Sequence, residues 1–353
     1  KQWYQRRVHG IRTFVVYSCL AIVLYQLLVI YCPEPEVARM SILNIGQIPS
    51  QVEAGAHISS LFQQHGEGCQ IFLSPSTTYD IETPIVLSHN SQQLATRDYP
   101  ADNTRAVIRT RGETACGITA GGLSHITLRN LIIDGCEPEL GRAEDSGPMV
   151  FVGAPGSDGA TVMDCVLTHT RGWTCLHAFD QATGTKIINN HVGPAGHPAP
   201  KGPWADGISA AVRNGVIVGN TIIDATDGAI VLFCCPGTVV ANNTVVARTR
   251  DLLGCINLVD SGVFDGDYTN TRVFGNRFIS DGAYIKLGIG MGPGTWGDHA
   301  TEIGCRGAIV ENNTIVSGTF GYGFAAAGTT DVVVKGNVVL PGAKFEGDSV
   351  VHR

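Results

Sequence analysis

Two Asp-Gly pairs in the middle of the chain combine residue type and spacing in a way that points to chemistry. Asp206 and Asp227 are 21 residues apart (227 minus 206), and each opens a β-rich run. If each run is one coil of a stacked solenoid, the two carboxylates lie on one face about 4.8 Å apart. Carboxylates that close cannot both ionise freely, which suits acid–base work on a glycosidic bond. Asp-Gly is also a common turn dipeptide, so a turn role is the alternative.

Aligning the coils on the residue before each strand glycine places further side chains beside the two carboxylates. The predicted column contains Arg171, Asp206, Asp227, Leu253, Asp281 and Phe320. Trp173 and Trp204 lie close to it in the sequence, and Trp296 lies further along. Because aromatic faces stack on sugar rings, these tryptophans are candidate sugar contacts, with buried packing as the alternative.

An Asn or Asp followed by a β-run recurs along the chain and indicates the elements that position this column. The repeats begin at Asn130, Asp164, Asn190, Asn220, Asn243, Asn276, Asn313 and Asn337. The shortest steps are 23 residues (243 minus 220) and 24 residues (337 minus 313). A unit of this length without helical stretches predicts a parallel β-helix of about eight to ten coils. Asn suits the repeat because it tolerates left-handed turn geometry and its amide can bond from coil to coil.

Residues 51–353 are predicted to form the β-helix domain, which begins with a capping helix. In the segment from Glu53 to Gly66, the side chains of Ile58, Leu61 and Phe62 fall on one helical face. A short helix there would cover the core that the first coil of a solenoid otherwise exposes.

Residues 13–32 form an uncharged, apolar run of 20 residues, long enough to cross a bilayer as a helix. Basic residues precede the run and acidic residues follow it. The positive-inside rule therefore predicts a transmembrane signal anchor in a single-pass membrane protein of the secretory pathway. Residues 1–12 would be cytosolic, residues 33–50 a linker, and the β-helix domain lumenal or extracellular. A cleaved signal peptide, and hence a secreted protein, is the alternative.

The amino-acid composition indicates which binding partners and which kinds of functional site to expect. The 44 glycines and the low charged fraction of 16% suit repetitive β-structure. A net charge of −7 argues against a nucleic-acid partner. Nine of the 11 cysteines follow residue 32, and none has C-x-x-C spacing, so we expect packing or disulfides rather than a metal site. The histidines before Asp206 lack paired spacing, and polar contacts are expected of them.

The Asn repeat, the N-terminal cap and the stretch LSPSTTYDIETPIVL resemble the right-handed parallel β-helix (pectate lyase-like) superfamily over roughly residues 50–340. The resemblance implies an all-β, right-handed parallel β-helix. It implies less about chemistry, because the superfamily includes hydrolases, lyases, epimerases and non-catalytic proteins.

Within that superfamily the chain is similar to polygalacturonase-type glycoside hydrolases. Their motifs run Asn-Thr-Asp-Gly, Asp-Asp-Cys, Gly-His-Gly and Arg-Ile-Lys. Here WADG keeps Asp206, TDGAI keeps Asp227, and GAYIK keeps Lys286. The similarity implies that the two aspartates activate a water and that Lys286 contacts a substrate carboxylate.

Four positions depart from the family pattern. Trp204, Thr226, Leu253 and Tyr284 replace its Asn, first paired Asp, His and Arg, respectively. Thr226 stands where the family usually places the acid that protonates the leaving group. Either another acid takes that role, with Asp180, Asp260 and Asp281 as candidates, or the chain is not that hydrolase.

Two other functions stay open beside a hydrolase acting on polysaccharide. A lyase or epimerase acting on uronate-containing glycan would use Lys286, with Arg306 about one coil further on, and a lyase would use Ca²⁺. A non-catalytic β-helix would bind glycan or organise a surface. The predicted substrate-binding residues are Trp204, Asp281, Trp173 and Arg306, no metal ligands are predicted, and the hydrolase needs no cofactor.

Overall fold

The computed structural model describes residues 40–197, 202–259, 262–296 and 304–347. The chain divides into two compact units, Lys1–Met40 and Ser41–Arg353, and every strand described here belongs to the second. These strands pair in parallel, coil upon coil, so the predicted all-β parallel β-helix is confirmed. Its right-handed sense remains a prediction from the general preference of parallel connections.

One parallel sheet of 11 strands, the first ladder, runs through the described coils. Its strands are Ile42–Ile45, Gln70–Leu73, Gln93–Thr96, Thr127–Arg129, Thr161–Met163, Lys186–Ile188, Val216–Val218, Val239–Ala241, Arg272–Phe274, Ile309–Glu311 and Val333–Lys335. Eleven strands exceed the eight to ten coils expected from the Asn repeat.

The remaining strands form two further ladders, which join through the long strands Thr314–Ala326 and Val338–Phe345. The second ladder otherwise contains Thr78–Ile81, Ala106–Thr110, Leu131–Asp134, Val166–Thr168, His191–Val192, Thr221–Ile223, Thr244–Ala247 and Arg277–Ser280. The third otherwise contains Ile85–Val86, Ile118–Gly121, Val150–Gly153, Thr174–Thr183, Asp206–Arg213, Gly228–Phe233, Leu252–Val259 and Ile285–Met291. A small separate sheet pairs Cys305–Arg306 with Thr329–Thr330.

Aliphatic side chains stacked in register fill the interior. In the first ladder the buried stack runs through Leu94, Leu128, Val162, Ile187, Ile217, Val240, Val273 and Val310. Because side chains alternate between the two faces of a strand, one apolar residue per strand suffices to continue the stack. Each buried side chain of this size contributes roughly 2 kcal/mol of transfer free energy.

The expected coil-to-coil amide ladder is present, and it is buried except at its last member. It contains Asn190, Asn220, Asn243, Asn276, Asn313 and Asn337. In each step the side-chain Nδ2 donates to the next Oδ1 at 2.8 to 3.0 Å. The same Oδ1 also accepts the backbone N–H of the preceding Asn, and Nδ2 also donates to a strand carbonyl. Each interior amide therefore has both oxygen lone pairs and both hydrogens satisfied.

The left-handed turn geometry belongs to the residue before the ladder, not to the ladder Asn itself. These positions alternate between Asn and Gly, and all have positive φ: Asn189, Gly219, Asn242, Gly275, Asn312 and Gly336. A Cβ at Gly275 would lie 2.5 Å from Asn242 Oδ1. Glycine is therefore required on alternate coils, because the Asn side chain of the neighbouring coil occupies that space.

The predicted cap is confirmed as the helix Ala54–His65, with Ile58 and Phe62 fully buried. Glu53 caps its N-terminus, accepting the N–H of Gly55 at 2.9 Å. The same carboxylate accepts the N–H of Glu82 at 2.8 Å, which ties the helix to the first coils. A second, single-turn helix spans Glu137–Leu140, and a 3₁₀ helix spans Pro293–Trp296.

The N-terminal predictions fall mostly outside the described residues. The predicted span 13–32 lies there, and in the described part of the chain no helix is long and apolar enough to cross a membrane. The first ladder begins at Ile42–Ile45, inside the segment predicted as a linker, and that strand pairs with Gln70–Leu73.

No disulfide is present among the nine cysteines of the described residues. Eight are buried and Cys116 is half-buried. Of the two expectations, packing therefore holds for these residues, and the disulfide expectation was wrong for them. Several, such as Cys175 and Cys255, occupy interior strand positions, where a thiol acts as a small apolar side chain.

Replacing Asn243 with Ala should destabilise the fold, because it leaves a buried carbonyl and buried N–H groups without partners. We expect a loss of about 3 kcal/mol in the free energy of unfolding, measured by urea denaturation. Asn337→Ala is the matched control, since Asn337 is only half-buried at the end of the ladder and water can replace its bonds. Equal losses at the two positions would contradict the assignment of this energy to burial.

Candidate functional site

The third ladder bends sharply because two consecutive residues of each strand face the interior. Ala229 and Ile230 belong to the core cluster in one coil, as Cys255 and Ile256 do in the next. The residues on either side of such a pair then face each other outside the core. A Cβ at Gly254, for example, would lie 2.1 Å from Asn257 Oδ1.

These flanking residues form two facing columns, which we call the bend face. The first column is Thr174, Asp206, Gly228, Gly254 and Leu287, and the second is His177, Ser209, Val231, Asn257 and Gly290. The first column contributes a hydroxyl, a carboxyl and two glycines, and the side chains of Val231 and Asn257 in the second column occupy the space beside those glycines.

The register changes by one residue at the start of this strand. The Asp227 N–H donates to the Ala205 carbonyl, whereas further along Ile208 pairs with Ile230, so Asp206 lies opposite both Asp227 and Gly228. The Gly228 N–H donates to Asp206 Oδ1 at 2.8 Å. The cause is local: the carbonyl of Ala205 accepts from both Thr226 and Asp227 at 3.2 Å, so one extra residue is accommodated there, as in a β-bulge.

Asp206 is held in a largely dry environment. The residue is 5% exposed. Besides the Gly228 contact, Ser209 Oγ lies 2.8 Å from Asp206 Oδ2 and 2.9 Å from Thr174 Oγ1. Burial raises the pKa of Asp206 well above its ordinary value, and the nearby charge of Asp227 raises it further.

Asp227 is the more accessible carboxyl of the two. It is half-buried, and burial raises its pKa. Within the described ranges no hydrogen bond to its side chain is found. The structure thus brings the two predicted aspartates together as an electrostatic pair, although in different columns. Two interacting carboxyls of this kind titrate as a pair, with one proton retained to higher pH.

Lys286 falls in the column of Asp227. The pairing of Gly228 with Gly254 and of Gly254 with Leu287 aligns Asp227, Leu253 and Lys286 on successive strands. Two strand spacings separate the aspartate from the lysine along the ladder, about 10 Å. Lys286 is exposed. The chain therefore presents a cation above the acid pair.

An aromatic cluster lies at the other end of the bend face. The ring of His177 contacts Trp173 at a centroid distance of 4.9 Å, Phe179 at 5.3 Å and Phe151 at 5.9 Å, all with T-shaped geometry. Burial lowers the pKa of His177 to about 4. His177 is therefore neutral at physiological pH and presents its ring as an apolar surface beside Trp173, which is half-buried.

The other predicted site residues are dispersed. Trp204 is 44% exposed, and its carbonyl oxygen lies 3.5 Å from Arg142 Nη1. Asp281 is exposed and pairs with Arg248 at 3.1 Å. Arg306 pairs with Thr330 in the small separate sheet, so it is not stacked on Lys286. Asp260 lies outside the described residues.

Arg171 and Thr226 have structural contacts that explain their presence. Arg171 is buried and donates to the carbonyls of Gly141 and Gly112. Thr226 Oγ1 donates to the Ala195 carbonyl and accepts the Ala205 N–H, both at 3.0 Å. The hydroxyl of Thr226 therefore fixes the turn before Asp227 and is not available to a substrate.

Sequence reasoning missed the polar partners of the bend face. Thr174, Ser209 and Asn257 belong to no sequence motif. Thr174 is a member of the first column, and Ser209 and Asn257 each follow a member of that column by three residues, so only their positions identify them. Asn257 is 4% exposed, and its Oδ1 has no hydrogen-bond partner among the described residues. Trp296 Nε1 is also buried, has no partner within the same residues, and lies 3.4 Å from the Cβ position of Gly290.

Metal binding finds no support in the residues described. Among them, no three His, Cys, Asp or Glu side chains are grouped so as to hold an ion. His169 instead contacts Asp134 at 3.2 Å, and His197 contacts Glu137 at 2.6 Å.

Comparison with known proteins gives matches only among solved structures. No family model and no curated protein matches the chain. The A-module of a mannuronan C-5 epimerase from Azotobacter vinelandii is 14% identical, covering 82% of this chain and 94% of that chain, with a TM-score of 0.39. A pectate lyase is 15% identical, covering 87% and 80%, with a TM-score of 0.44. A GH87 α-1,3-glucanase from Streptomyces thermodiastaticus is 12% identical, covering 90% and 70%, with a TM-score of 0.46. The architecture of this chain is established by its own strand pairing and does not depend on these matches.

Replacing His177 with Phe should reduce the acid sensitivity of the fold. The folded-state pKa of His177 lies below the value of the unfolded chain, so wild-type stability falls as pH drops from about 6.5 towards 4. Phe keeps the ring contacts and has no proton to bind. Thermal unfolding at pH 5 should favour the variant over wild type by more than it does at pH 8. A pH-independent difference would show that His177 does not titrate as its burial requires.

Proposed function

We propose that the chain is a carbohydrate-active enzyme acting on polysaccharide, and that the bend face with the Asp206–Asp227 pair performs hydrolysis of a glycosidic bond. One observation carries the proposal: Asp206 Oδ1 accepts the N–H of Gly228, the residue after Asp227, so a buried and a half-buried carboxyl from adjacent coils are neighbours. Burial, with the charge of Asp227 as a second cause, raises the pKa of Asp206. In such a pair one carboxyl keeps its proton while the other stays ionised, and an ionised carboxylate can act as the general base in glycoside hydrolysis.

The two aspartates have different roles in this proposal. Asp227 is half-buried and is the member that reaches the substrate, taking a proton from water and returning one to the reacting oxygen. Asp206 lies behind it, bonded to Gly228 and Ser209, and sets its protonation. Thr226 cannot replace the missing family acid, because its hydroxyl is bonded to the backbone.

Aromatic and unpartnered polar groups support a sugar as the ligand. Trp173 lies at one end of the bend face, and Asn257 Oδ1 and Trp296 Nε1 lie towards the other without hydrogen-bond partners. Buried polar atoms are rarely left unpaired. A ligand hydroxyl both donates and accepts, so a sugar that entered in place of the side chains covering these buried atoms would satisfy them.

A lyase or epimerase acting on a uronate is the alternative, favoured by one observation. Lys286 is exposed in the column of Asp227 and could act as the base or neutralise a uronate carboxylate. A lyase would be expected to use Ca²⁺. Arg306, in a separate sheet, does not join Lys286 in this role.

Product analysis with Asp227→Asn tests the hydrolase proposal. Residues 41–353, incubated with a polysaccharide panel, should release reducing ends without the absorbance of unsaturated uronates. Asp227→Asn should lower kcat at least about 100-fold, because it removes the proton-transferring group. Asp331→Asn is the matched control, since Asp331 is exposed in a left-handed turn that Asn also adopts. Hydrolysis that survives in Asp227→Asn contradicts the mechanism, and binding without any product favours a non-catalytic role.

Lys286→Met separates the two enzyme classes. In the hydrolase proposal Lys286 contacts the substrate, so the variant should raise KM by about tenfold and leave kcat nearly unchanged. Initial rates on the substrate identified in the panel provide the measurement. Loss of turnover together with unsaturated product in the wild type would instead support elimination with Lys286 as the base.

A further inference from the structure

Three side-chain oxygens and one carbonyl form an unbroken buried chain behind the acid pair. Asp206 Oδ2 lies 2.8 Å from Ser209 Oγ, which lies 2.9 Å from Thr174 Oγ1. Thr174 Oγ1 in turn lies 3.2 Å from the carbonyl oxygen of Leu176. Thr174 and Ser209 are fully buried, so water does not reach the chain.

Counting hydrogens distinguishes the two protonation states of Asp206. The chain has three contacts, and each hydroxyl owns one hydrogen. If Asp206 is ionised, Ser209 must donate to it, and Thr174 can fill only one of the two remaining contacts. If Asp206 is protonated, it donates to Ser209, Ser209 donates to Thr174, and Thr174 donates to Leu176. Only the neutral acid fills all three contacts.

The hydrogen bond of the other carboxyl oxygen, Asp206 Oδ1, is consistent with a protonated Asp206. Oδ1 accepts the Gly228 N–H at 2.8 Å, as the carbonyl oxygen of a protonated carboxyl would. No cation neutralises Asp206: in the part of the chain that the structure describes, it forms no ion pair. An uncompensated buried charge is far more costly than a buried neutral acid with its hydrogen bonds made.

We infer that Asp206 is a neutral carboxylic acid whose proton lies on Oδ2, held by the relay Ser209–Thr174–Leu176. Asp206, Ser209 and Thr174 are then positioning residues, and the negative charge of the pair resides on Asp227, the half-buried member. The role of these groups in catalysis rests on the proposed function, whereas the protonation state does not.

Few other titratable or charged groups face Asp206. Asp227 lies on the following coil, and Cys175 and His177 lie on the preceding strand. Arg142 contacts the carbonyl of Trp204, just before Asp206. Of these groups, Asp227 is the one whose charge acts on Asp206 directly. Replacing Asp227 with Asn therefore removes that charge and leaves the hydrogen bonds of the relay in place.

The direct test is ¹³C NMR of the intact chain with aspartate labelled at Cγ. The Asp206 signal is identified by its loss in Asp206→Asn. We expect it to keep the shift of a protonated carboxyl from pH 4 to pH 7, where ordinary aspartates have ionised. The same result is expected in Asp227→Asn, since the relay remains. An Asp206 signal that titrates with the ordinary aspartates in both backgrounds would overturn the inference.

Stability measurements give a second test without activity. Asn reproduces the neutral acid, with an amide that donates towards Ser209 and an oxygen that accepts from Gly228. At pH 7 Asp206→Asn should match or exceed the Tm of wild type, because Asn cannot ionise in the unfolded chain, and Asp206→Ala should melt about 5 °C or more below Asp206→Asn. Equal losses in both variants would contradict the inference.

The sign of the pH effect follows from the raised pKa of Asp206. The folded chain holds the proton above the pKa of the unfolded chain, so wild-type stability falls as pH rises through this window. Asp206→Asn should remove part of that fall in stability between pH 5 and pH 9.

Ser209→Ala should lower Tm equally at pH 5 and pH 7, since Asp206 is neutral at both. A Ser209→Ala cost that grows with pH would show Ser209 donating to an ionised Asp206. Failure of the proposed activity would leave these readouts unaffected.

Discussion

The buried amide ladder from Asn190 to Asn337 is the interaction on which the register of the coils depends. Its coils have unequal lengths, with ladder steps from 23 to 37 residues, yet the six amides meet at 2.8 to 3.0 Å. Because each interior amide bonds to both neighbours and to a strand carbonyl, a shift of one coil would break buried bonds at every adjacent step. Variable insertions must therefore be accommodated elsewhere, in the turns between ladders.

The register of the first two ladders determines which side chains face each other in the third ladder. Once the coils are aligned at the Asn turn, the paired interior residues of the third ladder coincide, and the flanking residues become facing columns. The bend then places residues three apart in the sequence within contact distance, as with Asp206 and Ser209. The candidate site is thus formed by the stacking of the coils, and the bend in each strand of the third ladder makes it concave.

The fold could be predicted from the sequence because the patterns that determine it recur along the chain. The Asn turn predicts the parallel β-helix, and the apolar face of the helix Ala54–His65 predicts the cap. The site was less predictable. Alignment on Asp-Gly put Asp206 and Asp227 in one column, whereas the carbonyl of Ala205 accepts two successive N–H groups and shifts the pairing by one residue. Ser209 and Thr174 belong to no motif, because a hydroxyl relay depends only on which columns face each other.

The departures from the polygalacturonase-type pattern have a common physical consequence. Thr226 is bonded to the backbone on both sides of the turn, and Leu253 separates Asp227 from Lys286 in their shared column. The family acid and the family histidine are thereby replaced by a structural hydroxyl and an apolar side chain. Of the acid pair, Asp227 is the half-buried member, and Asp206 lies buried behind it. A neutral Asp206 lowers the free-energy cost of this arrangement, because an ionised Asp206 would be a second negative charge with no ion-pair partner among the described residues. The proposed chemistry of this chain therefore depends on one accessible carboxylate and on the buried hydrogen bonds inferred to keep its neighbour protonated.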